Sequence, residues 1–293
     1  MKNSWREALI GLCLAALPVA AMFVLVVLPA FEGLRFSLGY VPGDNPAYST
    51  GSHLVTSSTP TLEVYRTLLS SPFVQADLRL TLTVTLFTVL LILLVGYSLA
   101  LLVRFGPGRL GAAVRSLYLI PMFVPVVIAA YAFITLYGSR GWLDALLHHV
   151  GIGYRSPIYG IPGIVMGLVW SHLPFATLLL GSGLDALPEE QVEAARDSGA
   201  GFLSILWRII LPLNLTPTMI VAAFSGISVL GSYTVPALLG PNAPQMVGVA
   251  MEQYFGAYRQ PQGAVALAMI TFALAAAIGA LYVWGISRTR RHG

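Results

Sequence analysis

Long apolar runs, each about as long as a bilayer is thick, alternate with short polar connections along almost the entire chain. A helix needs ~20 mostly apolar residues to cross the hydrocarbon core. Six segments meet that requirement: residues 9–31, 78–103, 115–138, 161–184, 215–240 and 263–286. The runs are continuous rather than alternating, which predicts helices instead of barrel strands. The expected fold is an all-α membrane protein with six transmembrane helices, one domain over residues 1–293. It carries a long outer loop at 32–77 and an inner loop at 185–214. Lys2 and Arg6 precede the first run as they would in a signal peptide. That run extends from Ala8 to Phe31, too long for such a segment, so an uncleaved anchor is expected.

Composition agrees and narrows the class. Apolar residues make up 57% of the chain and charged residues 10%, with a mean hydropathy of +0.79. Soluble domains carry roughly 25% charged residues. The net charge of +4 is no nucleic-acid footprint, because Lys2 is the only lysine and the arginines sit mostly at the ends of apolar runs. There they report orientation. With the N-terminus inside, the inner segments hold Lys2, Arg6, Arg104, Arg109, Arg115, Arg196, Arg208, Arg288, Arg290 and Arg291. The outer ones hold Arg35, Arg66, Arg79, Arg140, Arg155 and Arg259. Both termini are therefore expected in the cytoplasm, and residues 185–214 with them. Cys13, the single cysteine, excludes an intrachain disulfide and a multi-cysteine metal site, and reads as a packing residue. The Gly/Pro/Ser/Thr-rich stretch at 40–77 reads either as a plain connector or as part of a docking surface for an external partner.

The inner loop is the most distinctive polar segment. Pro188 suits a first helical turn, and Glu189 and Glu190 behind it complement the helix dipole. Val192, Ala195, Gly199 and Phe202 fall on one helical face, and Gly199 and Gly201 are expected to end or bend the helix. A second short helix with Phe202, Ile205, Leu206, Ile209 and Ile210 then leads to Pro212 and the next span. A helix resting on lipid headgroups is usually rich in lysine and arginine. The first half here carries Asp185, Glu189, Glu190, Glu193 and Asp197 instead. An acidic helix of this kind suits a basic protein groove.

Glu193-Ala194-Ala195, then Gly199, Ile209 and Leu211-Pro212, resembles at every fixed position the EAA loop of bacterial ATP-binding-cassette (ABC) importer permeases. The six-run pattern, with the loop between runs four and five, is similar to that family over nearly the whole chain. The resemblance implies a coupling helix seated in a groove of a cytoplasmic ATP-binding subunit, itself a dimer. Glu193 would be its ionic anchor, Ala194 and Ala195 close-packing positions, Gly199 the bend, and Ile209, Leu211 and Pro212 the return into the bilayer. It further implies a bacterial inner-membrane location, a second permease chain that is related but different, and a periplasmic or lipid-anchored substrate-binding protein.

The chain lacks the means to hydrolyse ATP. A P-loop needs a lysine behind its glycines, and Lys2 has no glycine loop before it. No cofactor is expected on this chain; ATP and Mg²⁺ would sit on the partner. Within the runs, His172 reads two ways: as a group facing the transport path, or as a neutral histidine bonded to nearby backbone or hydroxyl. Pro121, Pro125 and Pro174 are expected to kink their helices. Ser225, Gly226, Ser228, Gly231, Ser232, Tyr233 and Thr234 serve equally as close packing or as a polar lining. His172, Ser228, Ser232 and Tyr233 are the candidate path residues. Leu230 to Pro241, Gln253-Tyr254-Phe255 and Pro261 to Ala264 resemble the spermidine/putrescine-type branch, a pattern shared with importers of ferric iron, thiamine and phosphonates. No Asp or Glu falls within the six runs as drawn. An ion-coupled secondary transporter is the competing class, which calls for buried charges and inverted repeats.

Overall fold

The computed structural model describes residues 4–41, 43 and 46–289. Lys2, the Arg6 side chain, Arg290 and Arg291 of the orientation argument lie outside them. Every regular element among the described residues is helical. Five helices are long and apolar enough to cross a membrane, or six if the bent pair Phe202–Leu213 and Leu215–Leu230 is one crossing. The chain folds into two compact units, one of Met1–Pro72 with Met251–Ile270 and one of Phe73–Ala250 with Thr271–Gly293.

In the first unit, helix α1 (Cys13–Ser37) has a hydropathy of 2.5 and buries none of its most apolar window. Leu17, Phe23 and Leu25 point outward, as expected of side chains whose solvent is hydrocarbon. The polar stretch that follows is not a loose connector. Gln262, fully buried, donates from Nε2 to the carbonyls of Val55 (2.7 Å) and Phe36 (3.2 Å) and accepts from the Val55 amide (2.9 Å). Phe36 stacks on Tyr48 at 4.4 Å between ring centres. A buried amide with three partners fixes the backbone around it, because losing any one leaves a desolvated polar group.

The second unit is built from α2 (Pro72–Phe105), α3 (Val126–Tyr137), α4 (Ile161–Asp185), α5 (Glu189–Asp197), α6 (Phe202–Leu213), α7 (Leu215–Leu230) and α8 (Thr234–Leu239). Helix α9 (Pro261–Thr289) closes the chain. Two apolar cores hold the unit together. One gathers Leu80, Val84, Ala130, Ile164, Leu168, Val229, Val235 and Leu239. The other gathers Ile92, Ala100, Leu180, Leu184, Leu187, Val192, Ile205, Ile210 and Val221. Helix α5 and the long apolar helices thus share one core.

Proline explains where helices depart from the hydropathy pattern. The expected span 215–240 is not one helix: it stops at Leu230 and resumes at Thr234 as the short α8. Pro236 lacks an amide hydrogen, and its ring crowds the carbonyl four residues back, which favours the break seen around Ser232. Pro217 acts likewise on Leu213, and α6 and α7 meet there at 72°. The expected span 115–138 is broken into Gly108–Leu117, Ile120–Phe123 and Val126–Tyr137. Val124 is extended before Pro125, as a residue preceding proline prefers, whereas Pro121 lies in a first turn and disrupts nothing. At Pro174, where a kink is expected, α4 continues as a helix.

Helix α2 begins at Pro72, so Asp77, placed at a span edge by hydropathy, is a helical residue. Its Oδ1 accepts the Gln245 amide at 2.8 Å. Thr81 Oγ1 donates to the Asp77 carbonyl at 2.7 Å and accepts the Val247 amide at 2.9 Å. These bonds clamp the connection beyond α8 onto α2.

Candidate functional site

The inner loop folds as a helix, a left-handed turn and a second helix. Helix α5 starts behind Pro188, with Glu189 and Glu190 in its first turn. Gly199 ends it at φ +81, a conformation that costs a side-chain-bearing residue ~1–2 kcal/mol. The Gly199 amide bonds to the Arg196 carbonyl at 2.9 Å and the Ala200 amide to Ala195 at 3.0 Å, a Schellman closure. Gly201 lies at φ −69 and caps α6 without needing glycine's freedom. Because α5 stops before Gly199, the predicted continuous face from Val192 to Phe202 does not form. Val192 is buried and Ala195 half-buried, whereas Gly199 and Phe202 are exposed. Ile205 and Ile210 of the next helix take up the inward positions instead.

The other face of α5 is acidic and open. Glu193 and Ala194 are exposed, and Glu193 makes no ion pair among the described residues. Ile209 and Leu211 are half-buried and Pro212 exposed. Sequence reasoning missed Arg104 at the end of α2. Its Nε stands 3.7 Å from Asp185 and its Nη2 3.9 Å from Glu189. Arg104 and Arg196 both lie over the Phe105 ring, at 5.8 and 5.9 Å. Such half-exposed pairs contribute ~0–1 kcal/mol each. Burial of Val192 contributes ~1.5–3 kcal/mol and therefore dominates the seating of α5. Arg104 draws off two of the acids, leaving Glu190, Glu193 and Asp197 outward.

Of the path candidates, the structure joins His172 and Ser228. His172 Nδ1 lies 2.8 Å from the Leu168 carbonyl and Nε2 lies 3.0 Å from Ser228 Oγ. A carbonyl only accepts, so Nδ1 carries the hydrogen, and in the neutral ring Nε2 accepts a hydrogen bond donated by the Ser228 hydroxyl. The bland reading of His172, a neutral ring satisfied by backbone and hydroxyl, describes its geometry. Ser228 is exposed nonetheless, and Phe175 and Phe224 lie beside the pair with ring centres 6.4 Å apart. Ser232 and Tyr233 fall in the break after α7 and make no hydrogen bond with that pair among the described residues. Ser232 is half-buried and Tyr233 exposed.

Comparison with known proteins identifies the family and the fold. The family model for the binding-protein-dependent transport system inner membrane component matches residues 92–291. The spermidine/putrescine transport system permease protein PotB of Escherichia coli (strain K12) is 27% identical over 232 residues, covering 78% of this chain and 83% of that protein. The trehalose/maltose transport system permease protein MalF of Thermococcus litoralis is 31% identical over 231 residues, covering 75% of this chain and 73% of that protein. A crystal structure of a bacterial ABC transporter involved in import of the acidic polysaccharide alginate superposes with a TM-score of 0.75. It covers 99% of each chain at 16% identity and so shares the fold.

Proposed function

We propose that this chain, which belongs to the family of binding-protein-dependent transport system inner membrane components, forms half of a solute pathway and receives its drive through α5. It is a multi-pass inner-membrane permease subunit of an ABC importer and is not an enzyme; hydrolysis of ATP belongs to a separate subunit. The observation that carries the coupling reading is the two-sidedness of α5. Its apolar side is built into the second core, while Glu193 and Ala194 face outward. A rigid attachment behind and an unpartnered acidic face in front are what a lever needs.

In this reading Glu193 pairs with a basic residue of the ATP-binding subunit and Ala194 and Ala195 permit close approach. Gly199 sets the turn, and Ile209, Leu211 and Pro212 return the chain to the bilayer. ATP and Mg²⁺ are held by that subunit dimer. A second, related permease chain completes the pathway, an external binding protein delivers the solute, and both termini lie in the cytoplasm. His172, Ser228, Ser232 and Tyr233 contribute to the path. The proposed cargo is polyamine-like. Its support is the PotB relationship and the matching stretch from Leu230 to Pro241.

The test is uptake into proteoliposomes holding the full assembly with its neighbouring-gene binding protein. Labelled spermidine and putrescine should accumulate with ATP, and unlabelled thiamine, ferric iron or a phosphonate should not compete. Accumulation of one of those three instead keeps the machinery and replaces the cargo. Uptake driven by an ion gradient without ATP overturns the assignment.

A further inference from the structure

A closed ring of hydrogen bonds sits where α6 turns into α7. Asn214 is the residue at the 72° bend and is fully buried. Its Nδ2 donates to the Leu180 carbonyl of α4 at 3.2 Å, which fixes the orientation of the amide, since a carbonyl offers no hydrogen to an oxygen. The same nitrogen lies 3.2 Å from Tyr97 Oη on α2. Thr218 Oγ1 on α7 donates to the backbone carbonyl of Asn214 at 2.7 Å. Having spent its only hydrogen there, Thr218 must accept from Tyr97, with which it shares a short bond. The directions follow: Asn214 Nδ2 to Tyr97, Tyr97 to Thr218, and Thr218 to the backbone carbonyl of Asn214, so that the ring closes through the Asn214 residue itself, whose Oδ1 accepts no hydrogen bond among the described residues.

The surroundings are fitted to this ring. Gly183 of α4 faces Asn214 so closely that any Cβ would overlap Asn214 Oδ1 and crowd Pro217 Cγ. Pro217 creates the break, Gly183 gives it room, and the ring holds its angle. On one side of the joint, α5 and α6 share a core through Val192, Ile205 and Ile210. On the other, α7 carries Ser228 some ten residues, ~15 Å, beyond Thr218.

We propose that the Asn214–Tyr97–Thr218 ring is the joint that converts displacement of the coupling loop into rotation of α7, with Asn214, Tyr97 and Thr218 as positioning residues. The proposal rests on the reading of α5 as the docking helix. An apolar joint of equal volume would hold the helices together without specifying the bend angle, because dispersion has no direction, whereas three directed bonds specify it.

Thr218→Val keeps the shape and removes the hydroxyl, and Thr218→Ser restores it; Tyr97→Phe removes the other hydroxyl and keeps the ring. Each variant is assembled with the ATP-binding and solute-binding partners, and solute moved per ATP hydrolysed is measured with melting temperature and membrane yield. We expect hydrolysis to continue in all of them. Thr218→Val and Tyr97→Phe should lose at least tenfold in solute per ATP, while Thr218→Ser stays within twofold of the parent. A plain packing role lowers the melting temperature and leaves that ratio unmoved, and this result overturns the joint. If Thr218→Val fails to insert, Tyr97→Phe alone decides. Glu193→Ala is run in parallel. Should it uncouple transport while the ring variants do not, the joint falls and the docking reading stands. Should it leave transport intact, the docking reading falls and takes the joint with it.

Discussion

Glu193 is exposed and unpaired among the described residues, so removing its carboxylate disturbs no contact within this chain. Glu193→Ala should leave membrane yield and melting temperature unchanged while retention of the ATP-binding subunit on purification falls at least tenfold. Unaltered retention contradicts its role as anchor. The two glycines behind it should separate cleanly. Gly199 stands at φ +81 in open space, so Gly199→Ala should cost ~1–2 kcal/mol from backbone strain alone. Gly201 stands at φ −69 with nothing near its absent side chain, so Gly201→Ala should stay within ~0.5 kcal/mol of the parent. Denaturation of the purified subunit in detergent compares them; equal losses refute the assignment of the turn. The EAA-like residues were legible in the sequence because their spacing is local. Arg104 was not, since its pairing with Asp185 and Glu189 exists only once α2 and α4 are packed.

Among the elements, hydropathy located the spans but misplaced the interruptions. A transfer scale registers side-chain polarity and is blind to a missing amide hydrogen. Span 215–240 therefore read as continuous although Pro217 and Pro236 each remove a helical hydrogen bond and crowd the carbonyl four residues back. At Pro125 the sequence predicts a kink where the helix breaks outright, and at Pro174, with the same expectation, α4 runs on as a helix. The clamp from α2 to the connection after α8 was equally invisible, because an acid near a span edge normally reads as solvated. It makes a directed prediction. Asp77→Leu should speed amide hydrogen exchange at Gln245, whose acceptor it removes, at least tenfold. Asp77→Asn retains an acceptor oxygen and should change it little. Unchanged exchange in Asp77→Leu removes the clamp from the account.

For the whole molecule, family and fold agree with the six apolar runs and the missing P-loop: a permease half whose energy arrives from outside the chain. Cargo is less legible, because relatives named for polyamines and for trehalose/maltose share this architecture at similar identity. The feature proposed to tie molecule to engine is α5, and the proposal can be tested directly because Cys13 is the only cysteine in the sequence. In a Cys13→Ser background, single cysteines replacing Glu190 or Asp197 flank the proposed anchor without altering it. A cysteine replacing Arg140, in the connection after α3, serves as control. Treatment of the assembled transporter with a short thiol-to-amine cross-linker is then resolved by mass. The account predicts a covalent product with the ATP-binding subunit from positions 190 and 197 and none from 140. No product from 190 or 197 in an assembly that still imports solute would contradict it.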